Sequence, residues 1–145
     1  MAKVQGTRPR RVNLDGKSST VLTTSAIDLR PGSLVHIENG VYVQSTTKRP
    51  DSRIVQCEDG VGGSILDPIK AGDSVEGDRM GGGRLYAALI KAGTVLKAEE
   101  TLLKATATGE LELATGPFDD VVAVAIEDFT VPATPAFSHG KIRVL

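Results

Sequence analysis

The stretch Ser33–Val43, SLVHIENGVYV, decides the fold class. Up to Glu38 its side chains alternate, with Leu34, His36 and Glu38 opposing Val35 and Ile37. Successive side chains of a strand point to opposite faces, so this alternation marks a β-strand. Asn39-Gly40 follows, and Val41-Tyr42-Val43 resumes the run. A two-residue hairpin turn of type I′ needs positive φ at both central positions, which Asn and Gly tolerate best. The segment therefore predicts an antiparallel hairpin closed at Asn39-Gly40.

The same pattern extends in both directions. Upstream, Thr20-Val21-Leu22-Thr23-Thr24 is rich in β-branched residues, and Arg30-Pro31-Gly32 is a turn signal. Downstream, residues 46–52 read as a loop, Arg53–Cys57 as a strand and Asp59–Gly63 as a second loop. Ile69-Lys70-Ala71-Gly72-Asp73-Ser74-Val75 is echoed by Ile90-Lys91-Ala92-Gly93-Thr94-Val95-Leu96, each placing an Ala-Gly turn before a short strand. Two copies are too few for a solenoid and read as similar corners of one sheet system. Between them, Gly77–Gly83 reads as a mobile loop, and Arg84–Ile90 is too short for periodicity to separate helix from strand. Leu102–Thr106 and Glu110–Ala114, divided by Thr108-Gly109, fit a second hairpin. Val121–Ile126 is a continuous apolar run and fits a strand buried on both faces. Pro132 and Pro135 break the chain, and Lys141–Leu145 supplies the last strand.

The fold class expected is all-β with little helix: a single small antiparallel β-barrel or sandwich. A chain of 145 residues can bury its own core. With 3% aromatic residues and no Trp, Val, Leu, Ile and Ala must fill it. A buried aliphatic side chain contributes roughly 1.5–3 kcal/mol, which suffices.

Charge is balanced, with 17 basic against 18 acidic residues. Nucleic-acid binders draw most of their affinity from neutralising phosphates, so the balance argues against a specific nucleic-acid partner. The single Cys57 cannot form an internal disulfide. No apolar run approaches the ~20 residues of a membrane helix. Lys3-Val4-Gln5-Gly6-Thr7-Arg8 interrupts any leader-like apolar core, so the chain is expected to be soluble, made inside a cell and without a membrane partner.

Residues 1–16 differ from the rest. Lys3, Arg8, Arg10 and Arg11 surround Pro9, only Asp15 opposes them, and no apolar period appears. This segment is expected to be an extended basic N-terminal arm, with 17–145 as the β-rich domain. Such termini move freely unless another surface ties them down. Lys3, Arg8, Pro9, Arg10 and Arg11 are the candidate residues for contact with an acidic partner surface.

Signals for chemistry are weak. His36 and His139 are far apart, and Cys57 has no partner at metal-ligand spacing. His36 reads as part of a strand face, and His139 as part of a Ser138-His139-Gly140 turn. No Ser sits in a G-x-S-x-G elbow, although a Ser–His–acid triad can be drawn on paper. A histidine bonded to a pocket Ser or carboxylate would favour an enzyme. The adjacent acids Glu99-Glu100, Asp119-Asp120 and Glu127-Asp128 read as solubilising strand ends, and Gly81-Gly82-Gly83 lacks the Lys-Ser/Thr of a phosphate loop. The chain reads as a non-enzyme with no cofactor or metal.

The C-terminal third carries a resemblance. Ala92-Gly93-Thr94-Val95-Leu96 leads to TLLKATATGELELAT at 101–115, then DVVAVAIED at 120–128, then GKIRVL at 140–145. This order resembles the head decoration (cement) proteins of tailed bacteriophages. In those, an AGTVL corner, a V-x-G-V-A-x-E/D strand and a closing G-x-I/V-x-V-x-L strand follow in turn. The similarity spans somewhat over a third of the chain, and Ala123 stands where that family often has Gly. The resemblance implies a β-tulip-like barrel, usually a homotrimer, on the exterior of the virion after synthesis in the host cytoplasm. It also implies the major capsid protein as partner and an arm that clamps neighbouring capsid subunits. An arm can add a strand to a neighbour's edge, and its arginines can pair with carboxylates. Three tethered arms would bind at a raised effective concentration.

Two further classes compete. One is a non-catalytic virion structural protein of another kind. The other is a biotinyl- or lipoyl-like carrier, suggested by IKAGDSVEGD at 69–78, but Asp78-Arg79-Met80-Gly81 holds no acceptor lysine.

Overall fold

The hairpin read at Asn39-Gly40 is present in the computed structural model, with φ of 52° at Asn39 and 81° at Gly40. The structure describes residues 9, 11–17, 19–47, 49–56, 65–116, 120–133 and 137–145. Lys3, Arg8, Arg10, Cys57, the 59–63 loop, Asp119 and Pro135 lie outside them. Among the described residues there are twelve strands and no helix. They are β1 (Thr20–Thr24), β2 (Leu34–Glu38), β3 (Val41–Gln44), β4 (Arg53–Val55), β5 (Ser74–Arg79) and β6 (Leu85–Lys91). Then come β7 (Val95–Leu96), β8 (Leu102–Ala105), β9 (Leu111–Leu113), β10 (Val121–Ala125), β11 (Phe129–Thr130) and β12 (Phe137–Val144). The all-β reading holds.

The first five strands form one antiparallel sheet in the order β1-β5-β4-β2-β3. It curls until its edges meet: the Ala26 amide donates to the Tyr42 carbonyl at 3.0 Å, and the Thr23 hydroxyl to the Gly40 carbonyl at 2.6 Å. Leu29, Val35, Tyr42, Val55, Ile69 and Val75 fill the curl. Tyr42 is fully buried, and its hydroxyl donates to the Val21 carbonyl at 2.6 Å and accepts from the Gly77 amide at 3.1 Å. Burial pushes that phenol above its ordinary range.

The remaining long strands close a barrel, β10-β12-β6-β9-β8. A five-stranded barrel has a narrow interior, which accounts for the small residues in its wall. Ala87, Ala88, Ala123 and Ala125 are buried. At Gly140 a Cβ would lie 2.7 Å from Leu96 Cδ1 and 2.9 Å from Ile90 Cγ1. Val122–Ala125 are buried throughout, as expected for a strand covered on both faces.

One seam of this barrel is incomplete. β6 pairs with β12 over seven residues, from Phe137↔Lys91 to Arg143↔Leu85. On its other side β9 meets it only at Ile90↔Leu111, in parallel, although the sequence reading expects antiparallel pairing. Other segments satisfy the rest of that edge. Ala87 donates to the Val12 carbonyl at 2.7 Å, Leu14 donates to the Leu85 carbonyl at 3.1 Å, and Leu89 donates to the Gly32 carbonyl at 3.1 Å. Buried backbone groups must find partners, and here two distant pieces of chain, the N-terminal segment and the Pro31-Gly32 turn, supply them.

The Pro31-Gly32 turn also joins the two bodies. The Gly32 amide donates to the Val55 carbonyl at 2.8 Å, and His139 Nε2 donates to the Pro31 carbonyl at 2.7 Å. Gly32 has a φ of 90°, and a Cβ there would meet His139 and the Leu89 amide at 3.0 Å.

Three local readings change. Gly77–Arg79, expected in a loop, ends β5, because Gly77 packs under Tyr42 and Asp78 is buried. Ser138-His139-Gly140 is strand, because β12 pairs along β6 through all three positions. Residues 12–15, expected in a free arm, are packed: Val12 is fully buried and Leu14 rests on the barrel core. Residues 84–90, left open between helix and strand, form β6 after Arg84.

At Gly77 a Cβ would sit 2.6 Å from the Tyr42 hydroxyl, whereas at Gly81 the nearest atom is Arg84 Cγ at 3.8 Å. Gly77→Ala should lose about 1–3 kcal/mol in denaturant unfolding, the usual cost of overpacking, while Gly81→Ala should be near neutral. Equal stabilities for the two variants would contradict this packing.

Candidate functional site: the anchorage of the N-terminal segment

The N-terminal segment enters the body through a polar cluster at the start of β6. Asn13 initiates it, its side-chain oxygen accepting from the Asp15 amide at 3.2 Å and the Gly16 amide at 2.9 Å. This side-chain turn reverses the chain and aims Asp15 at β6. The Asp15 carboxylate accepts from Arg84 Nε at 3.0 Å, the Leu85 amide at 3.0 Å and the Lys17 amide at 3.0 Å. Arg84 reaches past it to Asp78 Oδ2 at 2.9 Å and also donates to the Lys17 carbonyl.

Asp78 is the hub. Its side chain is 0% exposed and faces the barrel from β5. It also accepts from the Tyr86 hydroxyl at 2.7 Å, the Ser19 amide at 2.7 Å and, at 3.4 Å, the Asn13 amide group. A buried carboxylate is tolerated only when its lone pairs are filled, and here four donors fill them. The Arg84 guanidinium lies 5.3 Å from the Tyr86 ring centroid, which adds a cation–π contact. Burial and the Asp78 carboxylate push the Tyr86 phenol well above its ordinary range, so it stays a donor. The cluster ties the N-terminal segment, β5 and β6 together.

Of the candidate arm residues, Pro9 and Arg11 are described: Pro9 is half-buried, and Arg11 is exposed just before the buried Val12. Lys3, Arg8 and Arg10 lie outside the described residues. Local sequence patterns do not mark the cluster, because Asp15 and Arg84 are far apart in the chain. One signal was available, since Asp15 is the sole acid among the basic residues of its segment.

His36 does find a serine and a carboxylate, the arrangement that would favour an enzyme. Its Nδ1 lies 2.7 Å from Ser45 Oγ, and its Nε2 2.6 Å from Glu38 Oε2. The order is the reverse of a hydrolytic triad, in which the acid is buried behind the ring and the hydroxyl faces substrate. Here Ser45 is 0% exposed and the Glu38 side chain 56% exposed. The buried hydroxyl has no approach for a substrate, so the contact closes the end of the β2–β3 hairpin. Among the described residues, no group of three or more His, Cys, Asp or Glu side chains is placed to hold a metal ion.

Burial pushes the Asp15 carboxyl up, but the bonds from Arg84, Leu85 and Lys17 and the Arg84 charge outweigh it, lowering it from 3.8 to about 2. A depressed folded-state value means stability present above the ordinary range and lost as pH falls through the folded value. Asp15→Asn should therefore be less stable than the native chain by about 1–3 kcal/mol at neutral pH. In thermal melts that gap should close as pH drops from 3.8 to about 2. A gap that persists unchanged at the acid end would contradict the charge-based anchorage.

No protein-family model matches the chain, and no curated protein sequence matches it. Among solved structures it is similar to the head fibre gp8.5 N base of bacteriophage phi29. The two share 10% identity with a TM-score of 0.56, over 89% of this chain and 95% of that one. The likeness is one of fold, and it takes in both the curled sheet and the barrel.

Proposed function

We propose that this chain is a non-catalytic structural protein of a bacteriophage virion, a capsid decoration protein that binds the outer surface of the head and clamps neighbouring subunits. The observation that carries the reading is the fold likeness to a phage head fibre base along nearly the whole of both chains. The order of motifs at 92–145, which resembles head decoration proteins, points the same way. On this reading the major capsid protein is the partner, the assembly is a homotrimer, and the site of action is the virion exterior.

The anchorage gives the reading a mechanism. A clamp works only if load on the arm reaches the body instead of peeling the arm away. Arg11 is exposed, and from Val12 onward the segment is bonded to β6 and held by Asp15 and Arg84. On this reading the basic residues that precede Val12 act on an acidic surface from that root. A second reading takes the likeness at face value: the chain is the mounting base of a head fibre, using the same attachment to the head.

The test is sedimentation of the chain with phage heads that lack it, followed by electron microscopy and a solution mass. A chain lacking residues 1–10 should melt like the full chain and lose most head binding. Removing residues 1–14 should in addition lower stability by about 2–5 kcal/mol, since buried Val12 and Leu14 leave the core. Undiminished binding without residues 1–10 would overturn the clamp, and a full-length chain that never associates with heads would overturn the virion reading.

A further inference from the structure

The register of the curled sheet sets Arg53 of β4 directly opposite Arg79 of β5. Like charges facing each other across an antiparallel pair repel, and such a pair is normally relieved by a carboxylate nearby. Among the described residues none does so. Arg53 donates to two backbone carbonyls, of Ser19 at 2.8 Å and Gly77 at 3.0 Å. The exposed Arg79 guanidinium has no hydrogen bond or ion pair with any described residue. The two side chains line one shallow depression with Pro50 and Asp51. Asp51 is already taken by Arg49, through bonds of 2.8 and 3.2 Å. Two guanidiniums therefore line the depression with one carboxylate that Arg49 already neutralises, and the excess positive charge falls on the facing pair.

We propose that Arg53 and Arg79 form a docking site for the carboxylates of an acidic protein segment. Two guanidiniums at cross-strand spacing place several N–H donors within reach of one segment, and a guanidinium's planar fork matches a carboxylate. Arg53 is pre-set by its two carbonyl contacts, so little side-chain freedom remains for it to lose on binding. A protein segment fits better than nucleic acid. A phosphate backbone is tracked by a stripe of cations, whereas the described residues here offer a single facing pair with a carboxylate on its rim. The inference rests on charge placement alone and stands apart from the virion reading.

The test uses the full-length chain and an N-acetylated hexaglutamate peptide, with the arginine Nε–H signals of Arg53 and Arg79 followed by NMR. Both should shift saturably, and the effect should weaken with added salt. Arg79→Glu should reduce the affinity read at Arg53 by roughly tenfold, as loss of one charge-assisted contact implies. The same variant should melt no lower than the native chain, because an attracting pair replaces a repelling one. The peptide also meets the arm, so residue-level signals decide the outcome. Unmoved Arg53 and Arg79 signals, or equal affinity in Arg79→Glu, would overturn the proposal. So would signals that move with inorganic phosphate or a DNA duplex but not with the peptide.

Discussion

The open edge of β6 is the constraint on which the rest of this structure depends. A closed barrel leaves no strand edge unpaired, yet β9 meets β6 at one position only. Unpaired amides and carbonyls against a buried core are expensive, so the remainder of the edge must be filled. The N-terminal segment fills it at Leu85 and Ala87, and the Pro31-Gly32 turn fills it at Leu89. The same two pieces also connect the barrel to the curled sheet. Gly32 bonds to β4, and Asp78 of β5 gathers Arg84, Tyr86, Ser19 and Asn13. The segments that complete the barrel edge are thus the same ones that join the two halves.

This arrangement explains why charge is buried where an aliphatic contact would serve stability as well. Replacing a buried ion pair by apolar residues is often neutral, but removing one partner is severe, roughly 3–5 kcal/mol. A salt bridge is directional, and here it fixes which segment lies on β6 and where the chain turns toward β1. The arm's root is placed by geometry that a greasy contact would leave adjustable. For a protein proposed to hold a shell together through that arm, a defined root matters more than extra stability.

Much of the fold was legible because its signals are local. Asn39-Gly40 demands positive φ at both positions, and the φ values of 52° and 81° meet that demand. Val121–Ile126 announces burial on both faces through an unbroken apolar run, and β10 is buried accordingly. The failures have one cause, which is contact over long sequence distance. Gly77 reads as loop because its role, leaving room for Tyr42, comes from a residue on another strand. Asp15 and Arg84 are 69 positions apart, so nothing in either neighbourhood reveals the pair. His139 reads as turn because Ser-His-Gly is turn-like locally, although β6 and the Pro31 carbonyl hold it in a strand. The segment at 12–15 reads as arm because basic composition dominates the window, while Val12 and Leu14 alone supply its apolar face.

Hydrogen exchange at three amides tests the account most directly: Leu14, Ala87 and Leu89, each bonded across the β6 seam. If the N-terminal segment completes the barrel wall, all three should exchange only through global unfolding, as slowly as the core amides of β10 and β12. Fast, local exchange at Leu14 and Ala87, with the barrel otherwise protected, would show the segment to be a loose strap and would contradict the account.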